Sequence, residues 1–114
     1  MDIKTLERQA AHIGNYVSKM TIFLHRKDRE KLNKRCEKFN LEKADILRGL
    51  IDQYLSGEIV LTSTLGEPQR GERQSFTIRL TASQYKEFQE KCGKDRRTPT
   101  AVLRTMVTEY LHAV

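Results

Sequence analysis

The chain repeats itself. A single ungapped shift that carries Lys19 onto Ser75 also carries Thr21 onto Thr77, Ile22 onto Ile78, Leu24 onto Leu80 and Cys36 onto Cys92. It continues through Leu47 onto Leu103, Arg48 onto Arg104, Tyr54 onto Tyr110 and Leu55 onto Leu111. Other apolar pairs change conservatively, such as Leu32 with Phe88, Ile46 with Val102, Leu50 with Met106 and Ile51 with Val107. A match this regular implies two units of the same structure. A unit of roughly 40 residues buries too little surface to be stable alone, so the two must share one core.

Each unit reads as strand, helix, helix. Residues 18–25 and 74–81 alternate in polarity. A strand there sends Met20, Ile22 and Leu24, or Phe76, Ile78 and Leu80, to one face, and Lys19, Thr21 and Phe23, or Ser75, Thr77 and Arg79, to the other. A helix over 27–39 carries one apolar stripe of Leu32, Cys36 and Phe39, with Asn40 as its stop. The helix over 43–55 has a wider apolar face, Ile46, Leu47, Leu50, Ile51, Tyr54 and Leu55, and should be the more buried of the two. In the second unit Thr81 caps a helix over 82–94 striped by Tyr85, Phe88 and Cys92, and Gly93 weakens its end. Thr98-Pro99 then starts a helix that repeats the wide apolar face as Val102, Leu103, Met106, Val107, Tyr110 and Leu111.

This divides the chain into an N-terminal appendage (1–16), a first unit (17–56), a linker (57–73) and a second unit (74–114). Asp2 as a cap, with Ile3, Leu6, Ala10 and Ile13 near helical period, makes the appendage a candidate helix ended by Gly14-Asn15. The linker holds Gly57, Gly66, Pro68 and Gly71, and its Ile59-Val60-Leu61 is apolar enough to dock on the fold.

Charge bears on the partner. The net charge is +6 and the pI about 9.5. Residues 17–56 carry 10 basic and 6 acidic side chains and residues 72–114 carry 8 and 5, so the excess sits in the repeats and not in a tail. Summed positive charge attracts polyanions, of which nucleic acid is the commonest. No apolar run approaches the roughly 20 residues that cross a bilayer. No basic start with an apolar core opens the chain. An intracellular, cytoplasmic protein without membrane partners is therefore expected, and two unpaired cysteines suit a reducing compartment.

A lone strand leaves its backbone groups unmet, and antiparallel pairing of the two strands satisfies them, with the helices interlocking beneath. The expected class is mainly α with a two-stranded antiparallel β-ribbon, two fused units forming an intramolecular pseudo-dimer. In element order and periodicity, over about 18–56 and 74–112, the chain resembles the ribbon-helix-helix family of small DNA-binding proteins, the Arc/MetJ/CopG-like superfamily, which normally work as homodimers. With both halves in one chain it is similar to tandem forms among conjugation and DNA-transfer accessory proteins. The resemblance implies sequence-specific binding of double-stranded DNA, as a plasmid or DNA-transfer accessory factor or a transcriptional repressor. Other proteins of a DNA-processing complex, or further copies along DNA, are partners consistent with that role.

By position, the resemblance implies that Lys19, Thr21, Phe23, Ser75, Thr77 and Arg79 face base edges in the major groove. There Lys19 and Arg79 can donate to guanine and the threonines can meet either kind of edge. Phe23 departs from the usual polar residue: it packs on thymine methyls or against another part of the protein. The family's phosphate contacts, at the N-terminus of the second helix, fall on Lys43 and Ala44 after Glu42, and on Thr98 and Thr100 with Arg96 and Arg97 beside them. Glu42 repels phosphate and Pro99 removes one N–H, so the halves should differ in affinity. A plain solvent-facing ribbon is the simpler alternative for the outward face. A protein-interaction module, antitoxin-like or scaffold, is the alternative function.

Cys36 and Cys92 fall on inner stripes and read as core thiols. No C-x-x-C occurs, and His12, His25 and His112 lack ligand spacing, so no metal or other cofactor is expected. With no glycine-rich phosphate loop, activated nucleophile or paired carboxylates in a cleft, no enzymatic activity is expected, and Tyr54 and Tyr110 read as packing residues.

Overall fold

A computed structural model of the chain describes residues 16–114. The candidate N-terminal helix lies outside the described residues. The element order is β1 (Ser18–His25), α1 (Arg26–Phe39), α2 (Lys43–Leu55), β2 (Arg73–Leu80), α3 (Ala82–Lys94) and α4 (Pro99–Ala113), a mainly helical fold with one two-stranded antiparallel sheet.

The two strands pair with each other, Lys19 opposite Arg79, Met20 opposite Ile78, Thr21 opposite Thr77 and Phe23 opposite Ser75. The register is centred on the two threonines that the sequence repeat equates. Period-2 alternation buries Met20, Ile22 and Leu24 of β1 and Phe76, Ile78 and Leu80 of β2 against the helices. A one-residue slip would turn those apolar side chains to solvent, so burial enforces the register.

Below the ribbon, α2 buries Ile46, Leu47, Leu50, Ile51 and Tyr54 and α4 Val102, Leu103, Met106, Val107, Tyr110 and Leu111, whereas α1 contributes Leu32 and Cys36 and α3 Phe88 and Cys92. The wider apolar faces thus occupy the interior. Side-chain bonds cross between the repeats at equivalent positions. Gln84 of α3 donates to Asp52 of α2 (2.8 Å), and Thr108 of α4 donates to Asp28 of α1 (3.0 Å). The first helix of each repeat therefore lies against the second helix of the other.

Capping repeats as well, with different chemistry. His25 Nδ1 accepts from the Lys27 amide (3.0 Å) at the start of α1, and Thr81 accepts from the Gln84 amide (3.1 Å) at the equivalent start of α3. Both first helices end in a Schellman motif. Leu41 N donates to Cys36 O and Asn40 N to Glu37 O, while Arg97 N donates to Cys92 O and Arg96 N to Gly93 O. The left-handed residues are Asn40 (φ 52°) and Arg96 (φ 56°).

Phe39 departs from the expected inner stripe. It is 47% exposed, under the side chains of Arg35 and Lys38. The chain reverses at Asn40, so Leu41 turns in against the core in its place. The linker docks as its composition suggests, with Leu61 buried and Ile59 packed on the core, though Val60 points to solvent. Thr105 donates to Ala101 O and accepts from Leu65 N (2.8 Å), and the buried Arg104 guanidinium donates to Leu65 O, so this segment is held against α4.

Candidate nucleic-acid interface

The outward face of the ribbon is a small, polar surface. Lys19 and Arg79 are exposed and directly opposite one another. Among the described residues, neither side chain makes a hydrogen bond or ion pair. Arg79 is anchored through its backbone, whose carbonyl accepts from Arg48 Nε (2.8 Å). Its side chain therefore stays free while its strand is tied to α2. At the centre, the Thr21 and Thr77 hydroxyls are 2.8 Å apart and hydrogen-bonded. That bond takes up one hydroxyl as donor and leaves the other hydroxyl's hydrogen, with acceptor lone pairs, on the exposed face.

The other end of the face is different. Phe23 is half-buried, and the Arg73 guanidinium stacks over its ring at 4.3 Å. Arg73 also pairs with Glu67 (3.2 Å), and His25 Nε2 lies 3.2 Å from Glu72. Phe23 thus packs against Arg73 while remaining on the outward face beside exposed Ser75. The period-2 alternation extends outward to His25 and Arg73, so this neighbourhood was open to sequence reasoning had the ribbon been followed one pair further. Arg29 of α1 completes it by donating to the Ser75 carbonyl and lying over Phe76. Nothing in the spacing signals that contact.

The two second-helix N-termini also differ. At α2, Glu42 occupies the cap position without a side-chain cap bond, Lys43 Nζ donates to Asn33 Oδ1 (2.7 Å) and Ala44 is half-buried. At α4, Thr98 accepts from the Ala101 amide (3.4 Å), Pro99 occupies the first turn and Thr100 is half-buried. Arg97 donates to the Leu61 carbonyl (3.2 Å), and Arg96 is exposed with no internal partner among the described residues. Lys43 and Arg97 are thus tethered cations, and Arg96 is a free one.

Arg48 and Arg104, equivalent in sequence, do different work. Arg48 pairs with Asp45 (2.9 Å), as the helical spacing suggests, and lies over the Tyr16 ring at 3.9 Å. Arg104 is buried and, among the described residues, forms no ion pair with a carboxylate, and burial lowers its pKa from the ordinary arginine value. The docked linker supplies the carbonyl that replaces the acid.

The two thiols are buried. Desolvation raises both, Cys92 to about 11, which keeps it a protonated core residue. Tyr54 meets the Phe88 ring edge-on (centroids 5.9 Å apart), donates to Asp95 and lies under Lys91. Burial pushes its phenol well above the usual range. Among the described residues, no group of three or more His, Cys, Asp or Glu is placed to hold a metal, and no helix is long and apolar enough to cross a membrane. The chain has no significant match among protein-family models, curated proteins or solved structures.

Proposed function

We propose that the chain is a tandem ribbon-helix-helix protein, an intramolecular pseudo-dimer that binds double-stranded DNA sequence-specifically by laying its β-ribbon in the major groove. The carrying observation is the antiparallel pairing of β1 with β2, centred on Thr21 and Thr77, which leaves the polar sides of both strands together on one exposed face. A two-stranded ribbon fits a major groove about 12 Å wide. The crosswise Gln84–Asp52 and Asp28–Thr108 bonds support the pseudo-twofold arrangement.

In this reading Lys19 and Arg79 recognise guanine edges, and Thr21, Thr77 and Ser75 supply smaller contacts. Phe23, under Arg73, closes the far end of the readout. Arg96, Arg97, Thr98 and Thr100, with Lys43 and Ala44 on the other side, position the DNA backbone. Because the outward strands match only at the central threonine, the site should lack palindromic symmetry, which a homodimer of identical strands favours. The role is that of a DNA-transfer or plasmid accessory factor or a repressor, a binding protein and not an enzyme. The same surface serves either role.

Selection of bound sequences from a random duplex pool, with affinity measured against salt, tests this. A non-palindromic consensus is expected. Three phosphate-contacting cations give a log–log salt slope of about −3. Absence of DNA binding at low salt overturns the proposal.

A further inference from the structure

α2 and α4 pack on each other in the middle of the fold, α3 lies against α2 and α1 against α4, so α1 and α3 are the outer helices, on opposite flanks. Each turns one face away from the core, opposite Leu32 and Cys36 in α1 and opposite Phe88 and Cys92 in α3. Glu30, Lys31 and Lys34 occupy the middle of that face in α1, and the repeat equates them with Lys86, Glu87 and Glu90 in α3. All three signs are reversed.

The six side chains are exposed. Among the described residues none of them takes part in an ion pair, although Glu30 and Lys34, and Lys86 and Glu90, have the helical spacing for one. Solubility calls for charge on such faces, but not for opposite signs at equivalent positions. The flank of α1 thus carries the counter-charges of the flank of α3, and one chain cannot bring its own two flanks together. A second copy can, by offering its α3 to the first copy's α1. That contact is heterologous and leaves an unused flank at each end, so it builds an open row. Setting α1 against α1, or α3 against α3, brings like charges together and is disfavoured.

We propose that copies of this chain line up in a single direction along DNA, the α1 flank of each against the α3 flank of the next, with Lys31 and Lys34 facing Glu87 and Glu90 of the neighbour. This rests on the DNA reading, because exposed ion pairs are too weak to assemble free molecules, whereas adjacent sites on one duplex supply the effective concentration. The unlike strands of the ribbon set the direction of each copy on a non-palindromic site, and the flanks then require neighbouring sites to run the same way. The described residues measure 34 × 34 × 26 Å. At about 3.4 Å per base pair, copies centred about 10 base pairs apart touch, and they lie on the same face of the duplex.

Titration of duplexes that carry one selected site, two in direct repeat, or two in inverted repeat of either sense, at centre spacings of about 8–12 base pairs, tests it. An exposed ion pair is worth up to about fivefold, so at one spacing the second copy should bind a direct repeat about 4- to 25-fold more tightly than the first, and no inverted repeat should show this. Lys31→Glu with Lys34→Glu should abolish the cooperativity, as should Glu87→Lys with Glu90→Lys. The chain with all four substitutions, its net charge unchanged at +6, should regain it. Absence of single-site binding overturns the DNA reading and this proposal with it. Single-site binding with no cooperativity, with equal cooperativity on direct and inverted repeats, or with a four-residue variant that stays non-cooperative overturns this proposal alone.

Discussion

Thr21 and Thr77 face each other across the ribbon with their hydroxyls 2.8 Å apart. They are the one identical pair on the outward face, and they stand at the centre of the register. To either side the face diverges, into two exposed cations at Lys19 and Arg79 and into a stacked Phe23 and Arg73 pair at the other end. Specific contacts are therefore expected to concentrate at the Lys19/Arg79 end.

Arg79→Ala tests that placement. A bidentate arginine–guanine contact is worth about 1–3 kcal/mol of discrimination, so affinity for the selected site should fall by roughly 5- to 150-fold while binding to unselected duplex changes little. Fluorescence anisotropy on both duplexes measures it. Equal losses on both would place Arg79 on the phosphate backbone.

Arg96 holds a left-handed conformation that Asn40 holds in the other repeat. The conformation is costly for a residue with a long side chain and mild for asparagine, so Arg96→Asn should raise stability by about 0.5–1 kcal/mol in urea denaturation. The same variant should weaken DNA binding evenly across sequences and make the salt slope shallower by about 1. A loss restricted to one base pair would refute the backbone role.

Glu42 stands where Thr98 stands in the second unit, but makes no cap bond. Glu42→Thr adds a capping hydroxyl worth about 1 kcal/mol and forfeits about 0.3–1 kcal/mol of charge–dipole attraction, so stability should change by less than about 1 kcal/mol. DNA affinity should rise, because a carboxylate leaves the neighbourhood of phosphate. Thermal unfolding and a DNA titration separate the two effects, and unchanged affinity would remove the α2 N-terminus from the interface.

Asp52 accepts from Gln84, yet burial, its largest influence, raises its pKa above the ordinary 3.8. The folded state then holds its proton more tightly than the unfolded chain, so this carboxyl costs stability as pH rises from about 4 towards its folded value. Asp52→Asn, which keeps an acceptor for Gln84, should gain stability relative to the unaltered chain over that window and show no gain near pH 3. Equal denaturation midpoints throughout would contradict the burial effect.

Most of the element plan was legible in the chain itself. Strand alternation, the Thr81 and Thr98 caps, the Asn40 stop and the wide apolar faces of α2 and α4 are local periodicities, and local sterics and capping bonds suffice to produce them. Which residues form the outward face followed from the same alternation; their role as DNA contacts is what the family resemblance implies.

Tertiary structure decided what local pattern leaves open. Among the described residues, equivalent positions acquired different partners: Arg104 meets the Leu65 carbonyl where Arg48 meets Asp45, and Gln53 is enclosed where Glu109 is exposed. Phe39 was turned out by the chain reversal at Asn40, and Phe23 was covered by an arginine far from it in sequence. The sequence by itself determined two copies of one strand–helix–helix plan and the faces each would bury. Which of two equivalent side chains is buried, tethered or free was decided only once both copies and the linker competed for one shared core, because burial and hydrogen bonding depend on neighbours that periodicity does not specify.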